Sequence, residues 1–218
     1  MKRFAILLGI FLTACVPLEQ YAEPTVPADN AEAIERQTGT GTDLLIVERL
    51  LPTGLIEIGD RDAELSLLLF TEHHCRYCKE FYREQFPLLL RDYINQGKLR
   101  LQIGILPLRK YIHSENGALG LLCAAAQGKG IPMHELLFEL GAKDREVLMS
   151  EAATSDLDLE MFTTCLDNPE TKSILEQQKS LARSLDIDLV PTFFLNGEKS
   201  VGLPHYADLR GMIDANKF

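Results

Sequence analysis

The chain has 218 residues, with 22 Lys or Arg against 32 Asp or Glu, so its formal net charge is −10. Its hydrophobic fraction of 46% and charged fraction of 25% are ordinary for a globular domain, and they exclude a wholly disordered chain and a polytopic membrane protein. Because duplex binding usually needs a basic face, this acidic balance also argues against nucleic acid as a partner.

The N-terminus has the composition of an export signal. Two basic residues precede an apolar run at residues 4–12, which is too short to span a bilayer as a mature helix. The segment Leu12-Thr13-Ala14-Cys15 resembles the lipobox of bacterial lipoproteins. We therefore predict a signal peptide at residues 1–14 and lipidation of Cys15; the alternative is an ordinary secretory signal in which Cys15 is incidental. Either reading places the mature chain outside the cytoplasm, where disulfides persist.

The next segment is predicted to be a flexible tether. Residues 15–42 contain three prolines, scattered acids and a Gly/Thr end, without a sustained periodicity. The folded domain is then predicted to occupy residues 43–218. At its start, residues 43–51 fit one short amphipathic helix that is stopped by Pro52. We expect this helix to dock on the domain; the alternative is that it mediates dimerisation.

The first half of the domain alternates strands with a helix. Residues 55–58 and the continuous apolar run at residues 65–70 are predicted strands. A helical pattern begins at Cys75 and contains Pro87, which should kink it. Residues 99–106 then read as a strand. This strand–helix–strand unit implies a parallel pair with a right-handed crossover, and hence an α/β fold.

The second half is predicted to insert several helices at about residues 114–187 before the sheet resumes. Residues 190–195 read as a strand, and Asn196-Gly197 is a strong signal for a hairpin turn. Residues 199–202 would return as the next strand, followed by a terminal helix.

The candidate chemistry lies in the Cys75-x-x-Cys78 motif. Cys75 follows a buried strand and opens a helix, where backbone N–H groups and the helix dipole stabilise a thiolate. Cys75 would attack a substrate disulfide or be attacked by a substrate thiol. The more shielded Cys78 would then resolve the mixed disulfide. Two alternatives are a structural bridge, and a metal site formed by His73, His74 and the two cysteines. The order strand, motif, helix, strand favours redox chemistry.

Residues from about 55 to 217 resemble the DsbA-like branch of the thioredoxin superfamily. The resemblance rests on Glu72-x-x-Cys75-x-x-Cys78 after a hydrophobic strand, the helix containing Pro87, the helical insertion, and the segment Val190-Pro191-Thr192-Phe193. It implies a thioredoxin-like fold with a helical insertion. It also implies a cis Val190–Pro191 bond beside the redox-active Cys75–Cys78 disulfide, with Val190 exposing its backbone to an extended substrate. The alternative is a trans proline that starts an edge strand.

Two further side chains are candidates for a role at this site. Glu72 would lie beneath the motif and take the proton from Cys78, or it would be an exposed acid at a strand end. His74 precedes the nucleophile directly and would modulate it. The remaining histidines lack a partner pattern and are predicted to be structural or on the surface: His113, His134 and His205.

Cys123 and Cys165 fall on apolar faces of predicted helices in the insertion. In an oxidising compartment we predict that they form a structural disulfide. The arrangement resembles that of several DsbA-like proteins. The alternative is two separate buried thiols that act as small hydrophobic groups.

The resemblance implies a protein disulfide oxidoreductase that needs no cofactor and no metal. Arg76-Tyr77 departs from the Pro-His dipeptide of the strongest oxidases, whereas Val190 matches the oxidases better than the isomerases. The expected function is disulfide formation in exported proteins on the periplasmic side of a bacterial membrane, with a membrane reoxidase as partner. Val16 favours the outer membrane, since it replaces the Asp of inner-membrane lipoproteins. The alternatives are a reductase or isomerase of the same fold, and a metal-binding protein.

Overall fold

A mixed sheet runs through residues 47–216, the part of the chain that the computed structural model describes. Its six strands have the order β1-β2-β4-β3-β5-β6. Only β3 and β4 are parallel, and each other neighbouring pair is antiparallel. The predicted α/β class and the parallel strand pair are therefore confirmed. The strands are β1 Glu48–Leu50, β2 Ile56–Ile58, β3 Leu65–Thr71, β4 Leu99–Ile105, β5 Thr192–Leu195 and β6 Glu198–Val201.

The start of the domain differs from the prediction. Instead of a helix ending at Pro52, the chain forms β1, which pairs antiparallel with β2. Gly54, with φ +80°, helps to reverse the chain between them. The segment forms a strand here because it provides hydrogen-bond partners for the backbone groups along the edge of β2 that does not face β4. The Glu48 carboxylate also accepts the N–H groups of Gly130 and Ile131, at 2.6 and 2.8 Å, at the start of a distant helix.

The active-site helix, residues 76–94, follows β3. It comprises α1 (Arg76–Glu80), a π-helical turn (Phe81–Gln85), α2 (Phe86–Leu89) and a second π-helical turn (Leu90–Ile94). Pro87 lies in the first turn of α2 and has no N–H to donate to the preceding turn. The π-helical turn Phe81–Gln85 directly precedes α2 and accommodates this missing bond; the kink expected at Pro87 stays a prediction.

The insertion predicted at about residues 114–187 consists of five helices: α3 Ser114–Ala125, α4 Gly130–Leu140, α5 Arg145–Ala152, α6 Leu159–Asp167 and α7 Pro169–Ser184. Cys123 of α3 and Cys165 of α6 are joined by a disulfide. Asn168 caps α7 through its side chain, and Pro169 occupies the first turn, a combination typical of helix N-termini.

The C-terminal part closes the sheet. Asn196 and Gly197 both have positive φ, at +47° and +90°, and connect β5 to β6 as a two-residue hairpin turn. Phe193 and Phe194 of β5 then point to opposite faces of the sheet. Phe193 packs edge-on against Phe81 of the active-site helix, whereas Phe194 joins a second core cluster with Ala182 of α7. Helix α8 spans Tyr206–Ala215.

The predicted signal peptide at residues 1–14, the tether at residues 15–42 and the lipidated Cys15 lie outside the described residues. Within residues 47–216, no helix has both the length and the apolar character needed to cross a membrane.

Candidate active site

Cys75 occupies the N-cap position of the active-site helix. Its Sγ accepts the backbone N–H of Cys78 at 3.3 Å, and the turn before it is closed by a 3.1 Å bond from its own N–H to the Glu72 carbonyl. On the other side, Cys75 Sγ lies 3.4 Å from the carbonyl oxygen of Val190. Both cysteines of the motif are free thiols here; Cys75 is partly exposed and Cys78 is buried.

The two cysteines have opposite acid–base properties. The pKa of Cys75 is lowered from 9.0 to about 7, first by its hydrogen bond with the Cys78 side chain and then by the N–H groups of Cys78 and Tyr77. Burial and the charge of Glu72 oppose this shift. The pKa of Cys78 is raised, chiefly by burial and then by its hydrogen bond with Cys75. The exposed sulfur is therefore the one that ionises near neutral pH, and it is the stronger candidate nucleophile.

The loop before β5 lies beside Cys75 and contributes the Val190 carbonyl to the site. The Val190–Pro191 peptide bond is cis, as the resemblance implied. Thr192, the first residue of β5, donates its hydroxyl to the Leu189 carbonyl at 2.6 Å. This bond holds the loop that presents the Val190 carbonyl to Cys75.

Glu72 is fully buried, so the alternative of an exposed acid is wrong. Its Oε2 accepts the backbone N–H of His74 at 2.7 Å. Its Oε1 accepts the Ser114 hydroxyl at 2.7 Å and lies 2.9 Å from His74 Nδ1. The carboxylate thus ties the turn before Cys75 to the start of α3. Within residues 47–216, this carboxylate bonds to His74 and Ser114 rather than to Cys78.

His73 and His74 have separate surroundings. The His74 ring is partly exposed and stacks on Tyr111, with ring centroids 4.6 Å apart. His73 is buried, and its Nε2 lies 3.0 Å from His134 Nδ1 in a cluster that includes Phe138. Burial lowers the pKa of His134 to about 3 and the pKa of His73 well below its ordinary value. The two buried histidines are therefore neutral at neutral pH.

This separation bears on the metal-site alternative. Among residues 47–216, no group of three or more His, Cys, Asp or Glu side chains is arranged to hold a metal ion. His73 points towards His134, and His74 is bonded to Glu72. The four side chains named for a metal site are thus engaged in other contacts.

Sequence reasoning missed three residues that support the site. Ser114 bonds to Glu72, Tyr111 stacks on His74, and His134, expected to be structural or on the surface, pairs with His73. These contacts join the turn after β3 to the loop before α3 and to the insertion, across 37 to 61 positions of sequence. No local sequence pattern predicts these contacts, because they depend on how segments distant in sequence pack together.

Comparison with known proteins agrees with this fold. A family model described as thioredoxin matches residues 51–215. Disulfide bond formation protein D of Bacillus subtilis is 22% identical over 169 residues, which cover 72% of this chain and 74% of that protein.

Two solved structures show the same fold. Oxidised BdbD from Bacillus subtilis superposes with a TM-score of 0.66 at 22% identity, covering 78% of this chain and 97% of that chain. For alpha-DsbA1 from Wolbachia pipientis the TM-score is 0.65 at 23% identity, with 73% and 88% covered. The thioredoxin-like fold with a DsbA-like helical insertion is therefore confirmed.

Proposed function

We propose that this chain, which belongs to the thioredoxin family, is a DsbA-like protein disulfide oxidoreductase that forms disulfide bonds in exported proteins. The Cys75–Cys78 disulfide would be the oxidant. A substrate thiolate attacks Cys75 Sγ, the Cys75–Cys78 bond breaks, and Cys78 leaves as a thiolate that takes up a proton. A second substrate thiolate then attacks the mixed disulfide at the substrate sulfur and releases Cys75 as a thiolate.

The observation that carries this proposal is the contrast between the two sulfurs. Cys75 is partly exposed and has a pKa of about 7, whereas Cys78 is 1% exposed and has a raised pKa. Exchange between proteins needs one accessible sulfur that forms the mixed disulfide and one protected sulfur that attacks only within the molecule. A structural bridge would need neither property.

The direction of electron flow is proposed on separate grounds. A pKa of about 7 for Cys75 resembles the value of about 7 known for thioredoxin more than the value of about 3.5 for DsbA, so thiolate stability alone does not set the direction. Oxidation is favoured by Val190 before Pro191, which resembles the oxidases of the family, and by the predicted export of the chain to an oxidising compartment.

The reduction potential of the Cys75–Cys78 couple tests the direction. The protein is equilibrated with glutathione buffers, and its thiols are alkylated and counted by mass spectrometry. A potential near about −120 mV, as in DsbA, supports the oxidase, whereas one near about −180 mV, as in protein disulfide isomerase, would favour the isomerase alternative. A potential near about −270 mV, as in thioredoxin, would replace the oxidase with a reductase. Absence of a reversible couple would favour the metal-binding alternative.

We also propose a lipid anchor at Cys15 and a membrane-bound reoxidase that restores the disulfide. The lipobox-like residues Leu12-Thr13-Ala14-Cys15 support the anchor. The test compares the full chain with its Cys15→Ser variant in a bacterial host. The anchored protein should enter the membrane fraction with the mass of a lipid-modified N-terminus, whereas the variant should lose that mass. Equal behaviour of both chains would leave an ordinary secretory signal.

A further inference from the structure

The Glu72 carboxylate fixes which nitrogen of His74 carries a proton. Ser114 Oγ accepts the Leu108 N–H at 3.1 Å, so its own proton is directed to Glu72 Oε1 at 2.7 Å. Glu72 Oε2 accepts the His74 backbone N–H. Because the carboxylate acts as acceptor in both bonds, His74 Nδ1, 2.9 Å from Oε1, acts as the donor.

A proton on Nδ1 leaves Nε2 of the neutral ring as a basic nitrogen. Nε2 has no hydrogen-bond partner within residues 47–216, and the side chain keeps 24% of its surface exposed. Stacking on Tyr111 fixes the ring plane. Gly141 faces the Nε2 edge: a Cβ at this position would lie 3.6 Å from Nε2, so the glycine leaves that edge less covered.

Within residues 47–216, the charged group that bonds directly to the His74 ring is Glu72. Tyr111 covers one face, with Lys110 Nζ 4.8 Å from the centre of the tyrosine ring. His73 and Cys75 are the chain neighbours, and Gly141 brings no side chain. A buried carboxylate that orients an imidazole is the arrangement by which hydrolases hold the general base that deprotonates an attacking group.

We propose that His74 is the general base for the incoming substrate thiol, and that Glu72 and Ser114 are positioning residues that hold its ring. This inference rests on the proposed exchange reaction at Cys75. His74 Nε2 takes the proton of the substrate thiol, and the resulting thiolate forms a bond to Cys75 Sγ while the Cys75–Cys78 bond breaks. His74 Nε2 then releases this proton to solvent and the Cys78 thiolate takes up one from solvent, so protons and electrons balance without a further reactant.

The size of the effect has a physical ceiling. An ordinary cysteine with a pKa near 8.5 is about 3% thiolate at pH 7. A base at the site can therefore accelerate attack by at most about 30-fold, and a realistic gain is roughly tenfold. A thiol that is already ionised at pH 7 has no proton to lose and should gain nothing.

The test compares two thiols with the oxidised protein at pH 7, in single turnovers followed by alkylation and mass spectrometry. One is a cysteine peptide and the other is an aromatic thiol that is ionised at this pH. We expect His74→Gln to slow the peptide roughly tenfold and to leave the aromatic thiol within about twofold of wild type. His205→Gln, the same change at an exposed histidine, should match wild type with both thiols.

Other outcomes separate the inference from the proposed function. Equal slowing of both thiols by His74→Gln would assign His74 a structural role and overturn the inference, while exchange at Cys75 would stand. Failure of the wild-type protein to react with either thiol would overturn the proposed function itself. As a second variant, His74→Ala should recover its rate with the cysteine peptide when imidazole is added, and no recovery would also count against the base.

Discussion

Cys75 and Val190 are 115 positions apart in the chain, yet Cys75 Sγ lies 3.4 Å from the Val190 carbonyl oxygen. The first belongs to the start of a helix and the second to the loop that leads into β5. Their approach places the reactive sulfur beside the backbone of this loop. An extended substrate segment that pairs with this backbone would bring its own cysteine to Cys75.

The ionisation of Cys75 should depend on Cys78. Because the hydrogen bond with the Cys78 side chain is the largest contribution that lowers the Cys75 pKa, Cys78→Ala should raise it above about 7. Cys78→Ser keeps a hydroxyl donor and should raise it less. The rate of Cys75 alkylation against pH measures both values. An unchanged midpoint in Cys78→Ala would show that the backbone N–H groups alone stabilise the thiolate.

The Cys123–Cys165 disulfide should stabilise the fold without setting the redox chemistry. It closes a sequence separation of 42 residues between α3 and α6. Chain-entropy arguments give about 4 kcal/mol for a loop of this size. The variant Cys123→Ala/Cys165→Ala should lose stability of that order in urea unfolding, while the reduction potential of Cys75–Cys78 stays the same. A shifted potential would instead couple the insertion to the active-site sulfurs.

Much of this site was predictable from the sequence because its main signals are local. Cys75 and Cys78 are one helical turn apart after a buried strand, and Asn196-Gly197 specifies a hairpin by its backbone preferences. Pro191 entered through a family resemblance rather than through any local rule.

The errors have a different physical origin. Over its described part, residues 47–51, the predicted helix at residues 43–51 is wrong, because a short apolar pattern does not distinguish a helix from a strand and pairing with β2 decides the outcome. The His73–His134 pair and the Glu72–Ser114 bond depend on how the insertion packs against the sheet. Such long-range contacts are set by tertiary structure and leave no periodic trace in either segment.

Removal of the Ser114 hydroxyl should lower the unfolding free energy of the protein. Ser114→Ala would deprive both the Leu108 N–H and the Glu72 carboxylate of a hydrogen-bond partner in a buried region. The expected loss is about 1–3 kcal/mol of unfolding free energy, measured in urea. Ser184→Ala is the matched control, since that exposed hydroxyl bonds only within its own helix, and it should cost less than about 0.5 kcal/mol. Equal losses would deny Ser114 a special role.

The buried His73–His134 pair should make the fold sensitive to acid. Both pKa values are lowered by burial, that of His134 to about 3, whereas an unfolded histidine titrates near 6.5. Between these values the unfolded chain binds more protons than the folded one. The stability that comes from keeping the pair neutral is therefore complete above about pH 6.5 and is lost as the pH falls towards 3.

Each buried histidine contributes a slope of up to about 1.4 kcal/mol per pH unit in this window. Urea unfolding of the oxidised protein at pH 7 and pH 5 measures the slope without titration of Cys75. Replacement of both residues, His73→Phe/His134→Phe, should flatten it, since phenyl rings fit the aromatic cluster and bind no protons. His134→Gln, a milder variant, should remove about half of the slope of unfolding free energy against pH. His205→Gln should keep the wild-type slope. If wild type and the double variant lose the same free energy, protonation of this pair does not govern acid unfolding.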